Sequence, residues 1–477
     1  MTRAGSAAVA DGFTCELMRR LPLARAVMEA FNHAFDPLLL ERIYEANRGR
    51  CYSDVLQFSD LVDLTRDALL EHQGSGHRMY QQLKRTDSAP AHQSSFYRKL
   101  GNMPQAVSRA LLCSCTLRLG ELIVPRADLL PGCFDGLEVM ALDGKKLKNA
   151  AKRLKPTRGF SGSLLAAKAL VAMSVNSGLA VAMSDSLDGE ANEVPLVKDL
   201  LPQVYQAVGD KPLLFVCDRQ MGDYRTPRLM LGRPGDHFLL RIRSGLAFTP
   251  DPAEVTRLST DEHGRVVVDE VGTFGTGTNA LRVRRVTLRR QDASGRDDDV
   301  VLITDLLDRK KFPAQDLLKL YRRRWGIERM FQEVTETFSL EHLIGCEPRG
   351  ALFQFSLCLL MYNLVRVVKA YVAADGRVDV DGVSTSSLFY DVKRELQAAN
   401  YLAPGALAAL AGRPPREPEA MQRRLAELLS GTWDPVAYTK AADKKPRPPR
   451  PEPKAIHGGH TSVLRLLEGR VKVRGRK

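Results

Sequence analysis

The chain reads as a mixed α/β protein with helical regions on both sides of its core, and three observations lead there. Short, nearly continuous apolar runs, "LEVMAL", "KPLLFVCD" and "DVVLITDL", have the length and composition of buried strands. Segments before about Arg126 and after about Asp375 carry apolar residues at three- and four-residue steps, the period of a helix face. From about Arg241 to Arg296, glycines punctuate alternating stretches as in strands joined by hairpins. At 477 residues the chain exceeds what one core supports. The expected units are a helical N-terminal domain (1–130), a core in two parts (131–240 and 299–375), a β-rich insertion between them (241–298), a helical C-terminal region (376–439) and a basic tail (440–477).

Taken in order, "DLVDLTRDALLEH" and "MPQAVSRALLCSCTLRLGEL" have helical spacing, and "SSFYRKL" opens on capping serines. Periodicity alone leaves open whether this unit is a helix-turn-helix DNA reader or a plain bundle. In the core, "LEVMAL" ends at Asp143-Gly144, and "LLAAKALVAMSV" and "LAVAMSDSL" form a hairpin around Asn176-Ser177-Gly178. A helix over "NEVPLVKDLLPQVYQAV" follows, then the strand ending at Asp218. Strands over "HFLLRIRS", "GRVVVDEV" and "ALRVRRVTLRR" are expected to form a small sheet of their own. The glycines of "GTFGTGT" mark a hairpin tip rather than a phosphate loop, since no lysine follows and no helix opens there. A long helix follows Pro313, and Ala351–Val372 reads as an amphipathic core helix interrupted by Gln354, Asn363, Arg366 and Lys369. The tail from Lys440 holds twelve basic and three acidic residues and is expected to be disordered. Whether it lies along a polyanion or only solubilises stays open.

Lys+Arg 70 against Asp+Glu 56 leaves a net charge of +14, which points to polyanionic partners. A membrane partner is not expected, because no run of eighteen apolar residues exists. The opening "MTRAGSAAVADG" has no apolar core, so no signal peptide is expected. Eight scattered cysteines, with only Cys113 and Cys115 close, read as reduced thiols without zinc-site spacing.

One constellation carries chemistry. On a helix, Ile327, Met330, Phe331, Val334 and Phe338 of the stretch beginning "YRRRWGIERMFQEV" form an apolar stripe. Tyr321, Arg324 and Glu328 form a second stripe beside it, within about 60° of arc. Alone, Arg324 and Glu328 could be a surface pair worth about 0.3–0.5 kcal/mol. Asp143 alone could sit in a turn, and Asp218 could cap the next helix. Together, two aspartates at strand ends and a glutamate on a late helix can converge three carboxylates at one sheet edge. Such a set repels itself unless a cation relieves it, and hard oxygen donors suit Mg²⁺ or Mn²⁺. Asp223 is the rival to Asp218, set aside because Asp218 directly ends the rigid strand. Glu341 and His342 read as buried or surface residues rather than ligands.

"LDGKKL", "VCDRQMGDY" and "YRRRWGIERMFQEVTETFSLEHL" together resemble the three catalytic blocks of bacterial insertion-sequence DDE transposases with a Y-(2)-R-(3)-E-(6)-K signature. "GEANE" and the β-rich stretch before the glutamate resemble the family too. The resemblance spans roughly Leu137 to Val368. It implies a ribonuclease H-like core in which Asp143, Asp218 and Glu328 bind two Mg²⁺, with Mn²⁺ able to substitute. It implies cleavage of double-stranded DNA at transposon terminal repeats through a hairpin and strand transfer into target DNA, by a homodimer in the synaptic complex. The location implied is the bacterial cytoplasm, at the nucleoid. Alternatives are an inactive DNA-binding derivative and a ribonuclease H-like nuclease without strand transfer. Tyr321, Arg324 and Trp325 would hold DNA near the cut, with Arg322, Arg323 or Lys319 nearby. The signature's lysine position is Thr335, a departure. The family's stacking tryptophan is absent from the insertion, leaving Phe248 or Phe274. Arg282, Arg284, Arg285, Arg289 and Arg290 are expected to track the DNA backbone.

Overall fold

The computed structural model describes residues 12–51, 55–123, 130–243, 245–291, 298–338, 340, 342–402, 415–439 and 459–471. Seven helices come first: α1 (Gly12–Arg19), α2 (Pro22–Ala34), α3 (Pro37–Asn47), α4 (Phe58–Leu70), α5 (Gly76–Arg85), α6 (Gln93–Gly101) and α7 (Gln105–Gly120). Their starts are chemically marked: Asp36 accepts from the amides of Leu38 and Leu39 and Ser75 from that of Arg78, satisfying donors that the first turn leaves orphaned.

The core begins with β1 (Glu138–Leu147), β2 (Ser163–Leu165), β3 (Ala167–Ser174) and β4 (Ala180–Ser186). Then come α8 (Val194–Val208), β5 (Leu213–Cys217), α9 (Thr226–Met230) and β6 (His237–Ile242). The turn between β3 and β4 ends at Gly178, whose φ of +79° lies in the region that suits glycine. β7 (Phe248–Pro250), β8 (Arg257–Thr260), β9 (Val266–Phe274) and β10 (Leu281–Leu288) follow, and β11 (Val300–Thr304) closes the series. Among the described residues these form one sheet of order β4-β3-β1-β5-β6-β11-β10-β9-β7, with β8 on β9. β1, β5 and β6 run parallel; the other pairs are antiparallel. The expected separate small sheet is therefore corrected. β6 belongs beside β5, and β7 to β10 continue the main sheet through β11, because β11 offers both edges to antiparallel partners.

Alternation along the strands sorts two cores. Met140, Leu142, Phe215 and Cys217 face the layer holding α8. Val139, Ala141, Leu214 and Val216 face the opposite layer. That layer contains α10 (Ala314–Arg323), α11 (Trp325–Glu336) and α12 (Pro348–Asp375). The one long helix expected after Pro313 is two, meeting at Arg324, whose backbone stays helical at φ −51°, ψ −32°.

α12 is long and apolar enough to cross a membrane, but its most apolar stretch is entirely buried within the protein. The amphipathic expectation is thus corrected: the helix is surrounded, touching α2, α4, α6, α7 and α11 and the sheet. Its polar residues are paired inside. Gln354 accepts from the Ile344 amide at 2.8 Å, and Asn363 accepts from the Ala180 amide at 2.9 Å. Arg366 donates to Asp381 at 2.8 Å and Lys369 to Thr385 at 3.0 Å. Buried polar groups held this way stabilise one packing arrangement over others. α13 (Thr385–Leu402) and α14 (Pro418–Leu429) complete the helical layer.

The disordered-tail expectation is corrected in part. Lys440–Pro451 and onward to residue 458 lie outside the described residues, but β12 (His460–Ser462) pairs in parallel with β2, and α15 (Val463–Leu467) follows. Arg465 anchors this segment on Asp188 at 2.9 Å and Glu190 at 2.6 Å. The composition of the tail hid a short apolar run, "VLRLL", that finds burial at Val463 and Leu466.

Candidate active site

The parallel register of β1 and β5 builds the site's floor. Leu142 lies opposite Cys217, so the next residues, Asp143 and Asp218, follow side by side. Alternation turns both away from α8 and toward α11. Asp143 lies within β1, opposite Val171 of β3, which sets aside the turn alternative and corrects the strand-end placement, since β1 runs on to Leu147. Asp218 precedes a short 3₁₀ turn, but its side chain makes no capping bond. Asp223 does cap: it accepts from the amides of Arg225 at 3.1 Å and Thr226 at 2.7 Å, so its carboxylate is engaged at the start of α9.

From above, α10 and α11 present the second stripe. Ile327, Met330, Phe331 and Val334 are buried in the core layer and fix the helix. Tyr321 is buried, and its hydroxyl donates to Asp218 Oδ1 at 3.3 Å. Arg324 is buried too, at 3% exposure, and its Nη2 donates to Glu328 Oε1 at 2.8 Å. Its Nη1 lies 4.0 Å from Asp143 Oδ2. Arg324 Nε and Nη1 are buried without a hydrogen-bond partner. The guanidinium also lies over the rings of Tyr321 and Trp325, at 5.5 and 5.7 Å from their centroids. Trp325 itself is 55% exposed. Arg322 is tied to Glu262, and Arg323 approaches Asp381 at 3.9 Å.

The electrostatics follow from this packing. Burial pushes Asp143 up to about 6; the Gly144 amide and Arg324 pull against that, while Glu193 and Glu328 add to it. Burial likewise raises Tyr321. Burial works against the charge of Arg324, but Tyr321, the Glu328 hydrogen bond and the Asp218 charge outweigh it, and its pKa is raised. A cleft of about 510 Å³ opens beside the carboxylates, lined by Asp143, Lys145, Glu193, Asp218 and Thr335 among others.

Among the described residues no set of three His, Cys, Asp or Glu side chains is disposed to hold a metal ion. The cation between Asp143 and Glu328 is Arg324. The donor chemistry nonetheless suits a hard divalent ion: carboxylate oxygens only, one with a raised pKa, beside an open cleft.

Two site residues escaped the sequence reading. Lys145 donates to Thr335 Oγ1 at 2.8 Å and to the Phe331 carbonyl at 3.3 Å, so a lysine from β1 is held against α11. Glu193, in "GEANE", leans against β1; a Cβ at position 144 would collide with its carboxylate. The signal in the sequence was the glycine directly after Asp143, which makes room for that carboxylate.

Among the arginines expected to track DNA, Arg284 is corrected. Arg284 is fully buried, bonds Asp269 at 2.8 and 2.9 Å and also donates to the Phe312 carbonyl, so it cannot contact DNA in this fold. Arg285 pairs with Glu270, Arg289 with Asp299, Arg290 with Asp298, and Arg282 with Asp251 and Glu254. Phe248 stacks under Arg285 and Phe274 is buried. Glu341 lies outside the described residues, and His342 is exposed.

Residues 135–364 match the family described as Transposase DDE domain. A putative transposase, y4zB, of Sinorhizobium fredii (strain NBRC 101917 / NGR234) is 27% identical over 108 residues, covering 22% of this chain and 28% of that protein. The chain thus matches less than a third of that relative's length. A cryo-EM structure of the piggyBac transposase synaptic complex with hairpin DNA aligns over 87% of this chain and 76% of its own, at 11% identity and TM-score 0.34. A likeness that distant carries no argument about mechanism.

Proposed function

The chain carries a transposase DDE domain in residues 135–364, and from that premise we propose that it cleaves DNA at the ends of a mobile element and joins those ends to target DNA. The observation that carries this reading is the register of β1 and β5. It sets Asp143 beside Asp218 on the face toward α11, where Arg324 bridges to Glu328. We read the strand order and directions around β1 as a ribonuclease H-like core. Asp143, Asp218 and Glu328 would hold the divalent metal, Mg²⁺ with Mn²⁺ as substitute. Held by these residues, such an ion would supply positive charge to the phosphate in an in-line phosphoryl transfer.

The chain's own groups have distinct tasks. Asp143 must lose its proton to serve as a ligand, so binding is expected to strengthen as pH rises through about 6. Arg324, whose Nη1 is unpartnered, donates to the scissile phosphate, and the Tyr321 hydroxyl orients it. Exposed Trp325, with Arg322 and Arg323, guides the strand leading to the cut. Lys145, held by Thr335, adds charge within the cleft. Two copies would pair two ends.

The test is an assay with purified protein, Mg²⁺, target plasmid and labelled duplexes bearing the inverted repeats that flank the gene. Strand-transfer products are expected. Asp143→Asn, Asp218→Asn and Glu328→Gln should each abolish cleavage while DNA binding persists, and affinity should fall by about 10³–10⁵ between about 50 and 200 mM salt. Nicks without joining would favour a simple nuclease. Binding without cleavage would favour an inactive derivative, a reading to which the intervening Arg324 lends weight.

A further inference from the structure

We propose that a groove at the ends of β5 and β6 holds the sugar–phosphate backbone of the DNA that continues past the cut, gripped by Arg219, Arg225 and Arg243; this rests on the DNA-cleaving reading above. The groove measures about 690 Å³, and Asn192, Gln220 and Asp223 line it beside the arginines. Arg219 follows β5, Arg243 follows β6 and Arg225 precedes α9. Since β5 and β6 are parallel neighbours, Arg219 and Arg243 leave the sheet at the same end. All three arginines are exposed. Among the described residues, none of their side chains has an ion pair, a hydrogen bond or a ring contact. The one acid among the described lining residues, Asp223, is spent on the amides of Arg225 and Thr226. Each guanidinium therefore keeps all its donors and its charge for an anion. The arginines of β10, each paired with an acid, do not.

Position decides which anion this is. Gln220 lines both the groove and the cleft that holds Asp143 and Asp218, so the two hollows adjoin. The sheet order β3-β1-β5-β6 sets the two aspartates between two basic borders. On the β3 side, Arg323 and Arg329 line a small hollow with Met173 and Gly326. On the β6 side lie the three unspent arginines. Arg323 belongs to the strand leading to the cut, so a backbone that enters over that border and crosses the aspartates leaves over the groove. The floor of the groove is firmly built. Gly222 packs so closely on β6 that a Cβ there would meet the Arg241 carbonyl. The Tyr224 hydroxyl accepts from the Ala247 amide at 2.8 Å, and its ring packs on Phe274. Arginines on such a base meet a phosphate track without first ordering the chain that carries them.

The test reads binding by the full chain, without divalent metal so that nothing is cut. Two labelled duplexes carry the inverted repeat that flanks the gene: one stops at the cut, the other continues one helical turn beyond it. Fluorescence anisotropy gives the affinity for each across a range of salt. For wild type, the slope of log affinity against log salt should be steeper on the longer duplex by about 0.9 for each phosphate neutralised, so by about 2–3 for three arginines. The combined variant Arg219→Ala/Arg225→Ala/Arg243→Ala should lose that extra slope and bind the shorter duplex as wild type does. Each single variant should lose about a third of it, which keeps the test open if the combined variant fails to fold by circular dichroism. Arg282→Ala, an exposed arginine already paired with acids, should keep all of it. Equal slopes for wild type on the two duplexes, an extra slope that survives in the folded variants, or a matching loss on both duplexes overturns the proposal and leaves the DNA-cleaving reading standing. No preference of wild type for the inverted repeat over unrelated duplex overturns both.

Discussion

Two sets of arginines look alike in the sequence and behave oppositely in the fold. Those of β10 alternate with apolar residues and have no acid among them from Arg282 to Arg290. Yet the antiparallel register with β9 sets Arg285 opposite Glu270 and puts Asp269 two residues along from Val271, the partner of Arg284, on the same face. Each of these arginines finds an acid on a neighbouring strand or loop. Arg324 also has an acid within reach, Glu328, but two of its nitrogens remain buried and unpartnered, and it lies between Glu328 and Asp143. A basic run therefore marks a polyanion site only where the fold leaves donors unspent. Local charge counts cannot say this, because the neutralising residues arrive through strand pairing.

The largest expected effect comes from the spent set. Arg284→Met removes one partner of a buried pair and should cost about 3–5 kcal/mol, toward the lower end because Arg309 stays 3.4 Å from Asp269. Urea unfolding measures it. A well-folded variant with weakened DNA binding would reverse the assignment of Arg284 to the core.

Arg324→Ala should act on the other axis. Loss of a donor aimed at transferring phosphate costs about 10²–10³ in rate, while the fold persists through Ile327, Met330 and Phe331, which anchor α11. Single-turnover cleavage on the element's ends is the measurement. Unchanged cleavage with a large loss of stability would place Arg324 with Arg284 and erase the contrast.

How far the sequence carried the reader follows the same line. Asp143, Asp218 and the Tyr321, Arg324, Glu328 stripe could be found because each sits on a strand or helix whose period is local. The order of strands and helix from β1 to β5 was legible for that reason too. Glu193, the pairing of β12 with β2, and the acids facing β10 were not, since each depends on contacts between residues distant along the chain. The all-round burial of α12 was missed because Gln354, Asn363, Arg366 and Lys369 read as a polar face, whereas each is satisfied by a partner supplied elsewhere.

A smaller effect probes the site without catalysis. Asp143 titrates near 6 when folded, above its ordinary value of 3.8. Between those values the folded chain keeps a proton that the unfolded chain has lost, so this group's contribution to stability falls as pH rises and is level above about 6. Asp143→Asn removes that loss. Without divalent metal it should be more stable than wild type by about 1–3 kcal/mol at pH 8, with the advantage vanishing near pH 4. Thermal melts across that range check the sign. Saturating Mn²⁺ should shrink the advantage, since only the wild type gains from binding.

The smallest effect is the sharpest boundary between the two sets. Arg282 is the most tempting DNA contact on β10, at the insertion's surface with its side chain 56% exposed. It already pairs with Glu254 at 2.8 Å and lies 3.4 Å from Asp251. To grip a phosphate it would have to exchange those acids for the new anion, so its net gain is small. Arg282→Ala should change stability by no more than about 0.5 kcal/mol, move DNA affinity less than about twofold and leave the slope of affinity against salt unchanged. A phosphate contact of full strength would reduce that slope by about one. Were the slope to fall so, the acids on the neighbouring loop would be only a resting partner for Arg282, and exposure rather than pairing would be what separates the arginines that meet DNA from those that hold the sheet.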